Sequence, residues 1–456
     1  MKKYLSILAA ISVVLSMTGC SKGEVNGPTP SKPESSGAVS NGVYTATDIG
    51  GTGKRPDTGD FAEFAVTEDT ALTTDGAMIK GDAIAPTAPS GDIAAAPDGD
   101  IAPSGEEPAI IPEPVEPTDP EIPPQAGLLT GGEWNDNAHW ADWNALYSSH
   151  EDWNSYKNAW KNETDCRIAV KVTSNGNPFE GAKVSCKSAI SSAVTDNNGM
   201  AYLFYKAING PTEDIVVEFG GTSKTIDGVI GNVEVSCDLG EVARDTEVPS
   251  LDFMIMCDTT GSMGDELEYL KVELENIVRK IKSDNANIPV HTSVNFYRDE
   301  GDEYVVRQFP FTDDIEQAAK AILEQRADGG GDTPEAVHTA LDSAINNHDW
   351  SENSVKIMFL VLDAPPHGDA QIVDSVNKYV REAAEKGIRI VPIASSGIDK
   401  STEYLLRTMA FTTGGTYTFL TDDSGVGGSH IKPTVGAYNV EKLSDMMIRI
   451  VNSYLA

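Results

Sequence analysis

Residues 251–264 read LDFMIMCDTTGSMG, an apolar run that ends in a carboxylate, hydroxyl side chains and two glycines. The apolar part is too short for a helix, and such runs are typical of buried parallel strands that end in a loop at the carboxyl edge of a sheet. After Gly264, apolar residues recur at three- and four-residue steps from Leu267 to Ile281, which predicts an amphipathic helix. The stretch therefore predicts a strand, a polar loop and a helix.

The loop carries oxygen-bearing side chains at alternate positions, Asp258, Thr260 and Ser262. Alternate side chains of an extended chain point to the same side. Where the chain leaves the strand and turns, the side-chain oxygens of these three residues are therefore expected to converge on one point. Carboxylate and hydroxyl oxygens are hard ligands, suited to Mg²⁺, Mn²⁺ or Ca²⁺ rather than zinc. The same residues also fit a simple strand-to-helix turn with Asp and Ser as caps.

From about residue 250, predicted strands and helices alternate along the chain, which indicates an open, doubly wound, mostly parallel α/β sheet. Ligands bind such sheets beyond the carboxyl ends of the strands. The predicted strands are 251–257, 290–297, 355–362 and 388–394, and the predicted helices are 265–282, 313–326, 334–346, 370–386 and 439–453.

Two further polar loops are predicted at the same edge, DGGGDTPE at residues 328–335 and DAPPHG at residues 363–368. Each alone is an ordinary turn or helix cap. In their order and spacing, the three loops resemble those that form the metal-ion-dependent adhesion site of von Willebrand factor A domains.

The resemblance covers residues 250–456 and implies a divalent-metal site. It implies that Thr260 and Ser262 bind the metal directly, Thr333 directly or through water, and Asp258 and Asp363 mostly through water. Mg²⁺ prefers six oxygens and keeps some of its waters. Five side chains would thus leave a position for a carboxylate presented by a protein partner, and Mn²⁺ or Ca²⁺ would be alternatives to Mg²⁺.

Two segments look particularly like the von Willebrand factor A variants of bacterial lipoproteins and of proteins with atypical α-kinase domains. They are residues 297–299, which read YRD, and the loop 363–368. Signatures of a kinase domain are absent from the sequence. Arg298 and Asp299 are interpreted as an ion pair that holds a loop. His367 lies near the predicted site but is a poor ligand for Mg²⁺.

The N-terminus is predicted to be an export signal. Lys2 and Lys3 precede an apolar segment, and Thr18-Gly19-Cys20 follows it. A basic start, a short apolar segment and small residues before a cleavage point describe a signal peptide rather than a membrane span. The end of this segment resembles a bacterial lipobox, which implies that residues 1–20 are a lipoprotein signal and that Cys20 carries the lipid. The alternative is an ordinary signal peptide with an incidental cysteine.

Residues 21–130 contain 15 of the 25 prolines and many acidic residues. Such composition buries too little apolar surface to offset chain entropy, so a disordered, extended stalk is predicted. Residues 131–165 then hold five of the six tryptophans. Their helical spacing predicts two short helices, called here the tryptophan collar, which either pack on the neighbouring domain or form an aromatic platform for sugars or peptides.

Residues 166–245 alternate apolar and polar residues between turn signals, which predicts a small antiparallel β-sandwich. The segment resembles carboxypeptidase-regulatory-like or immunoglobulin-like modules, and no chemistry is implied. Cys166, Cys186 and Cys237 lie in or beside it, so one disulfide among them is expected outside the cytoplasm. Cys257 is expected to be free, as a small buried apolar residue.

The formal net charge is −36 and basic residues form no cluster, so nucleic acid is not expected as a partner. Taken together, the sequence predicts a lipid-anchored protein of the bacterial cell envelope that binds a protein partner through a metal site, with no enzymatic activity. One alternative is an envelope scaffold whose metal is only structural. The other is a glycan hydrolase, although the motifs supply no convincing acid pair or nucleophile triad.

Overall fold

The computed structural model describes residues 43–44, 125–206, 212–243, 250–331 and 333–456. The predicted signal peptide, the predicted lipidation site Cys20 and residues 21–124 of the predicted stalk, apart from 43–44, lie outside the described residues. Within the described part of the chain, no helix combines the length and apolarity that a membrane crossing requires.

Among the described residues, two strands and two helices precede the β-module, which spans residues 166–245. They are β1 (Val43–Tyr44), β2 (Thr130–Trp134), α1 (Trp140–Ser149) and α2 (Trp153–Ala159). Strand β1 pairs antiparallel with a short strand near the C-terminus, Tyr438–Asn439.

The β-module contains eight strands. They are β3 (Cys166–Ser174), β4 (Asn177–Pro178), β5 (Lys183–Ser185), β6 (Ala193–Val194), β7 (Met200–Tyr205), β8 (Glu213–Phe219), β9 (Thr222–Val229) and β10 (Val233–Asp238). One sheet contains β10, β3, β4 and β7, the other contains β6, β5, β8 and β9. The pairing differs from the expected antiparallel sandwich in one place, because β10 pairs parallel with β3. A parallel pair needs a crossover rather than a tight turn, and no local turn signal marks it.

The expected disulfide is not present. Among the described residues, Cys166, Cys186, Cys237 and Cys257 are all free thiols. Cys237 belongs to the apolar core of the module, and Cys166 and Cys186 pack against that core. Cys257 is fully buried, and burial raises the pKa of its thiol well above the usual value, so it is free and unreactive as expected.

The C-terminal part alternates strands and helices. The strands are β11 (Ser250–Asp258), β12 (Val290–Tyr297), β13 (Val306–Arg307), β14 (Ser354–Leu362), β15 (Ile388–Ala394), β16 (Tyr417–Leu420), β17 (Tyr438–Asn439) and β18 (Glu441–Lys442). The helices are α3 (Leu267–Asp284), α4 (Ile315–Leu323), α5 (Val337–Asn346), α6 (Ala370–Lys386), α7 (Lys400–Thr413) and α8 (Leu443–Leu455), and short 3₁₀ helices span Gly261–Asp265 and Asp422–Ser424.

Eight strands form one sheet in the order β13-β12-β11-β14-β15-β16-β2-β18. The five strands from β12 to β16 in this order are parallel, and the strands at both edges are antiparallel. The side chains of β11 alternate between two apolar cores. Phe253 and Ile255 contact the core of α3, α4 and α8, while Met254 and Met256 contact that of α5, α6 and α7. The predicted doubly wound, mostly parallel α/β sheet is confirmed.

The structure adds elements that the patterns did not predict. Helix α7 was missed because it is buried on nearly every side, so its sequence lacks the polar stripe of a surface helix. The adjacent β16 has only four residues. The predicted helices 313–326 and 334–346 are shorter in the structure, at Ile315–Leu323 and Val337–Asn346, and residues 334–336 belong instead to a polar loop.

Residues 125–134 pack on the large sheet, which differs from the stalk predicted to reach residue 130. Strand β2 lies between β16 and β18, and Leu129 is fully buried beside it. A side chain at Gly132 would place its Cβ 2.6 Å from the ring of Phe419. The glycines that allow this close approach are also what made the segment unlike a strand in sequence.

The tryptophan collar packs on α7, and its five tryptophans are each 7% exposed or less. Trp143 and Trp153 lie against Tyr404, with ring centroids 5.2 and 5.3 Å away. The indole of Trp160 donates to the carbonyl of Ser401 at 2.9 Å. Such burial leaves no open aromatic surface in the collar, so the collar packs on its neighbouring domain and is not a platform for sugars.

Candidate metal centre

Two neighbouring parallel strands, β11 and β14, bring the first and third polar loops to one edge of the sheet. Asp258 is in register with Tyr297 of β12, and Cys257 is in register with Val361 of β14. Asp258 ends its strand and Asp363 follows the next one directly, so both carboxylates lie at the carboxyl edge, as the doubly wound topology requires.

A continuous chain of polar contacts links the first loop to the third. Asp258 Oδ1 accepts hydrogen bonds from the Thr260 amide at 2.9 Å and the Thr260 hydroxyl at 2.7 Å. The Thr260 and Ser262 hydroxyls are 3.2 Å apart, and the side chain of Ser262 hydrogen-bonds that of Asp363. Four of the five predicted ligands are therefore brought together.

The second loop lies between the other two. The Gly261 amide donates to the Gly329 carbonyl at 3.0 Å, and the Asp328 amide donates to the Thr259 carbonyl at 3.2 Å. At its other end, the Glu335 amide donates to the Pro365 carbonyl at 2.9 Å. Thr333, the fifth predicted ligand, is exposed in this loop. The structure therefore does not bring Thr333 into contact with the four residues above.

The buried base of the site contains two neighbouring carboxylates, those of Asp258 and Asp363. Asp258 is fully buried, and burial together with the neighbouring Asp363 raises its pKa to about 7. Burial also raises the pKa of Asp363 to about 6; the Ser262 hydrogen bond opposes this increase, and Glu266 adds to it. Two apposed carboxylates in a low-dielectric place each disfavour the charged form of the other.

The arrangement fits a divalent cation. Asp258 Oδ2 and Asp363 Oδ1 are buried, and neither has a partner at hydrogen-bond distance and angle among the described residues. The nearby Tyr297 hydroxyl only partly opposes the increase in the pKa of Asp258. Buried carboxylate oxygens are normally paired with a donor or a metal. The described part of the chain contains no group of three His, Cys, Asp or Glu side chains that could hold a metal, so the hydroxyls of Thr260 and Ser262 would have to complete the donor set.

Arg298, Asp299 and His367 support the loops, but not as predicted. The Arg298 guanidinium donates to the carbonyls of Thr259 at 3.1 Å and Arg326 at 2.8 Å, and so joins the first loop to the start of the second. Asp299 Oδ1 lies 2.9 Å from His367 Nε2 in the third loop. Asp299 therefore contacts His367 rather than forming the expected ion pair with Arg298, and Arg298 mainly holds backbone carbonyls.

Sequence reasoning missed a second group of residues beside the site. Glu266, which is fully buried, lies 2.8 Å from His430 Nε2 and accepts from the Ser396 amide at 3.1 Å. His430 Nδ1 lies 2.9 Å from Asp422 Oδ1. Burial by itself lowers the pKa of His430, but the two carboxylates outweigh it and raise that pKa. These residues are far apart in sequence, so no local pattern could have revealed them.

A family model matches the part of the chain that carries this site, and two curated proteins are similar to part of the chain. Residues 250–432 match the family model described as von Willebrand factor A domain. An ariadne-like RING finger protein of Acanthamoeba polyphaga mimivirus is 34% identical over 130 residues, which cover 28% of this chain and 12% of that protein. The alpha-protein kinase vwkA of Dictyostelium discoideum is 27% identical over 119 residues, which cover 26% of this chain and 19% of the kinase.

The chain thus spans less than a fifth of the length of either curated relative. A crystal structure of the conserved hypothetical protein BatB from Bacteroides thetaiotaomicron is 13% identical, with a TM-score of 0.31, and the match covers 45% of this chain and 98% of that one. On the family match and the doubly wound sheet described above, residues 250–432 form a von Willebrand factor A domain.

Proposed function

We propose that this protein binds a protein partner through a divalent cation held by Asp258, Thr260, Ser262, Thr333 and Asp363. The observation that carries the proposal is the pair of buried, unpartnered oxygens, Asp258 Oδ2 and Asp363 Oδ1, at the carboxyl edge of the sheet. A bound Mg²⁺ would neutralise both carboxylates and offer an open position to an acidic group of the partner. Mn²⁺ or Ca²⁺ are alternative ions for the same oxygen donors.

The proposed ligands differ in exposure, and this difference supports a metal that binds a partner over a purely structural metal. Asp258 and Thr260 are fully buried, whereas Ser262 and Thr333 are exposed. An ion on this base would have its protein ligands beneath it and solvent above it. A purely structural ion usually has a closed set of protein ligands, as structural zinc sites do. We propose no enzymatic activity, and the buried tryptophans disfavour the glycan hydrolase alternative.

The test of the binding proposal is calorimetry followed by capture. We expect the purified protein to bind one Mg²⁺ or Mn²⁺ with a Kd of roughly 10⁻⁵ to 10⁻³ M, as sites with few charged ligands do. Immobilised protein should then retain a partner from envelope extracts in Mg²⁺ and release it in EDTA. Partner binding that is equal in Mg²⁺ and EDTA would favour the scaffold alternative, and a protein that binds no divalent ion would overturn the proposal.

We also propose that the protein is anchored in the bacterial cell envelope by a lipid on Cys20. The support is the sequence alone, a short apolar segment that ends in Thr18-Gly19-Cys20. Cys20→Ser is expected to shift the protein from the membrane fraction to the soluble fraction, or to leave an uncleaved precursor. Fractionation and mass spectrometry of the N-terminus measure both results. A correctly cleaved variant that stays in the membrane would contradict the anchor.

A further inference from the structure

His430 lies between two carboxylates, and each of its ring nitrogens faces one of them. Its side chain is 3% exposed, Nδ1 lies 2.9 Å from Asp422 Oδ1, and Nε2 lies 2.8 Å from Oε1 of the fully buried Glu266. A neutral imidazole carries one N–H and can donate to only one of these oxygens, whereas the imidazolium can donate on both sides. The contact with Glu266 is close but poorly aligned as a hydrogen bond, so it depends chiefly on charge. The arrangement therefore favours the protonated form of His430.

His430 ends a loop, residues 421–430, that lies on the first polar loop. The Gly428 amide donates to Asp265 Oδ2 at 2.6 Å. Asp265 ends the short 3₁₀ helix that also carries Ser262. Six of the ten residues of the 421–430 loop are exposed, so its attachment depends largely on polar contacts.

Glu266 depends on His430 for its counter-charge. Among the described residues, His430 is the cationic side chain that contacts Glu266, and Glu266 Oε2 has no partner at hydrogen-bond distance and angle. A Cβ added at Gly427 would lie 2.5 Å from Glu266 Oε1, so the closed loop covers this carboxylate. A buried carboxylate without its cation carries a large desolvation penalty. Release of the loop would return Glu266 to water and remove that penalty.

The other charged groups around His430 do not replace this pair. In the described part of the chain, they are three carboxylates and one ammonium, those of Asp265, Asp363, Asp423 and Lys432. Lys432 is the like charge, and its exposure to solvent screens its effect. Burial lowers the pKa of His430, but the contacts with Glu266 and Asp422 outweigh burial and raise it.

We propose that protonation of His430 holds the 421–430 loop closed on the first polar loop, and that loss of this proton releases the loop. A histidine whose pKa is raised by folding stabilises the folded state fully below the pKa of the unfolded chain, about 6.5. This stabilisation is lost as the pH rises through the higher folded pKa. The closed and released states need no bound cation. Because the loop lies on the segment that carries Ser262, its release would change the surface offered to the proposed partner, a consequence that rests on the proposed function.

The test is hydrogen–deuterium exchange of the full chain in EDTA between pH 6 and pH 9, corrected for the intrinsic pH dependence of exchange. Opening of the 421–430 loop is expected to increase by up to about 10-fold per pH unit above the folded pKa of His430, as release of one proton requires. Peptides from the buried strand β15 should show no such increase. His430→Gln, which removes the charge, should raise loop opening at pH 6 by at least about 10-fold and remove most of the pH dependence. The matched control is His150→Gln, at an exposed histidine of the collar, which should leave both unchanged.

Two results would overturn the proposal. One is corrected loop exchange in the wild type that does not change with pH, and the other is equal loop exchange in wild type and His430→Gln at pH 6. Should His430→Gln fail to fold, Glu266→Gln decides, because loss of the buried carboxylate should lower the pKa of His430, measured by NMR of the histidine ring carbons. An unchanged pKa would show that Glu266 does not hold the proton. Calorimetry that finds no Mg²⁺ binding would reject the proposed function and leave these expectations standing.

Discussion

In EDTA at about pH 7.5, Asp258→Asn is expected to raise the free energy of unfolding by up to about 4 kcal/mol and to abolish the stabilisation that Mg²⁺ gives to the wild-type protein. The pKa of Asp258 is raised to about 7 in the folded protein, against ~3.9 in an unfolded chain. Each pKa unit corresponds to ~1.4 kcal/mol, and the amide can still accept the two hydrogen bonds from Thr260. The variant therefore removes the cost of burying a charged carboxylate and, second, its repulsion by Asp363, and together these outweigh the change of group.

The sign of the pH dependence follows from the raised pKa. The native state binds the proton of Asp258 more tightly than the unfolded state does, so this contribution to stability is complete below about pH 4. It is lost as the pH rises through the folded pKa of about 7. The metal-free wild type should thus lose stability between these values, and Asp258→Asn should lose less. Asp363, whose pKa is raised to about 6, should behave in the same direction.

Denaturant unfolding across pH, with EDTA or Mg²⁺, measures both effects. The matched control is Asp369→Asn, an exposed carboxylate just after the third loop that makes no side-chain cap to α6. It should change stability by less than about 0.5 kcal/mol and keep the response to Mg²⁺. If Asp258→Asn retains full stabilisation by Mg²⁺, the ion binds elsewhere and the proposed site is wrong. Asp258→Asn should also lose the Mg²⁺-dependent capture of the protein partner.

Arg407→Ala is expected to destabilise the protein by about 3–5 kcal/mol, the cost of leaving buried charges unpaired. Arg407 is 1% exposed and forms a two-pronged contact with Asp136, with Nε to Oδ2 at 2.9 Å and Nη2 to Oδ1 at 2.6 Å. It also lies 3.4 Å from the carboxylate of Glu403. Its guanidinium is 4.8 Å from the ring centroid of Trp143. Removal would leave Asp136 buried without its cation and would open a gap against the collar, while Glu403 would keep its contact with Lys400 at 2.7 Å.

The contact between Arg407 and Asp136 requires an arginine at position 407. Burial alone lowers the pKa of the guanidinium, but Asp136 and Glu403 outweigh it and keep the group charged. Lysine lacks the planar fork that meets both oxygens of Asp136, so Arg407→Lys should recover only part of the stability. Because Asp136 precedes the collar and Arg407 lies in α7, this pair attaches the collar to the von Willebrand factor A domain.

Urea unfolding followed by tryptophan fluorescence measures the loss, since Trp143 and Trp153 both lie beside Arg407. Lys280→Ala is the control, because the pair of Lys280 with Asp284 at 2.5 Å is an exposed contact within one helix. Its removal should cost less than about 1 kcal/mol. A loss for Arg407→Ala no larger than for Lys280→Ala would show that the collar does not depend on this ion pair.

The sequence by itself determined the class of the C-terminal domain. Buried parallel strands read as short apolar runs and surface helices as amphipathic repeats, and both signals are local. For this reason β12, β15 and α6 were predicted with the bounds that the structure has. Asp258, Thr260, Ser262 and Asp363 lie at or shortly after the ends of such strands, positions that a parallel sheet brings to one edge. They could be named because the order and spacing of their loops resemble those of von Willebrand factor A domains.

Only the tertiary structure decided the features that depend on contacts between distant segments. The buried helix α7 carries no polar stripe, and strand β2 joins the sheet through glycines that resemble a loop in sequence. The pairing of Arg407 with Asp136, and of His430 with Glu266, connects residues more than 160 positions apart. Glu335 and Thr333 belong to the same polar loop, yet only the structure revealed that Glu335 is buried and Thr333 exposed. Burial of a side chain is set by what the whole chain packs around it, and no local pattern encodes that.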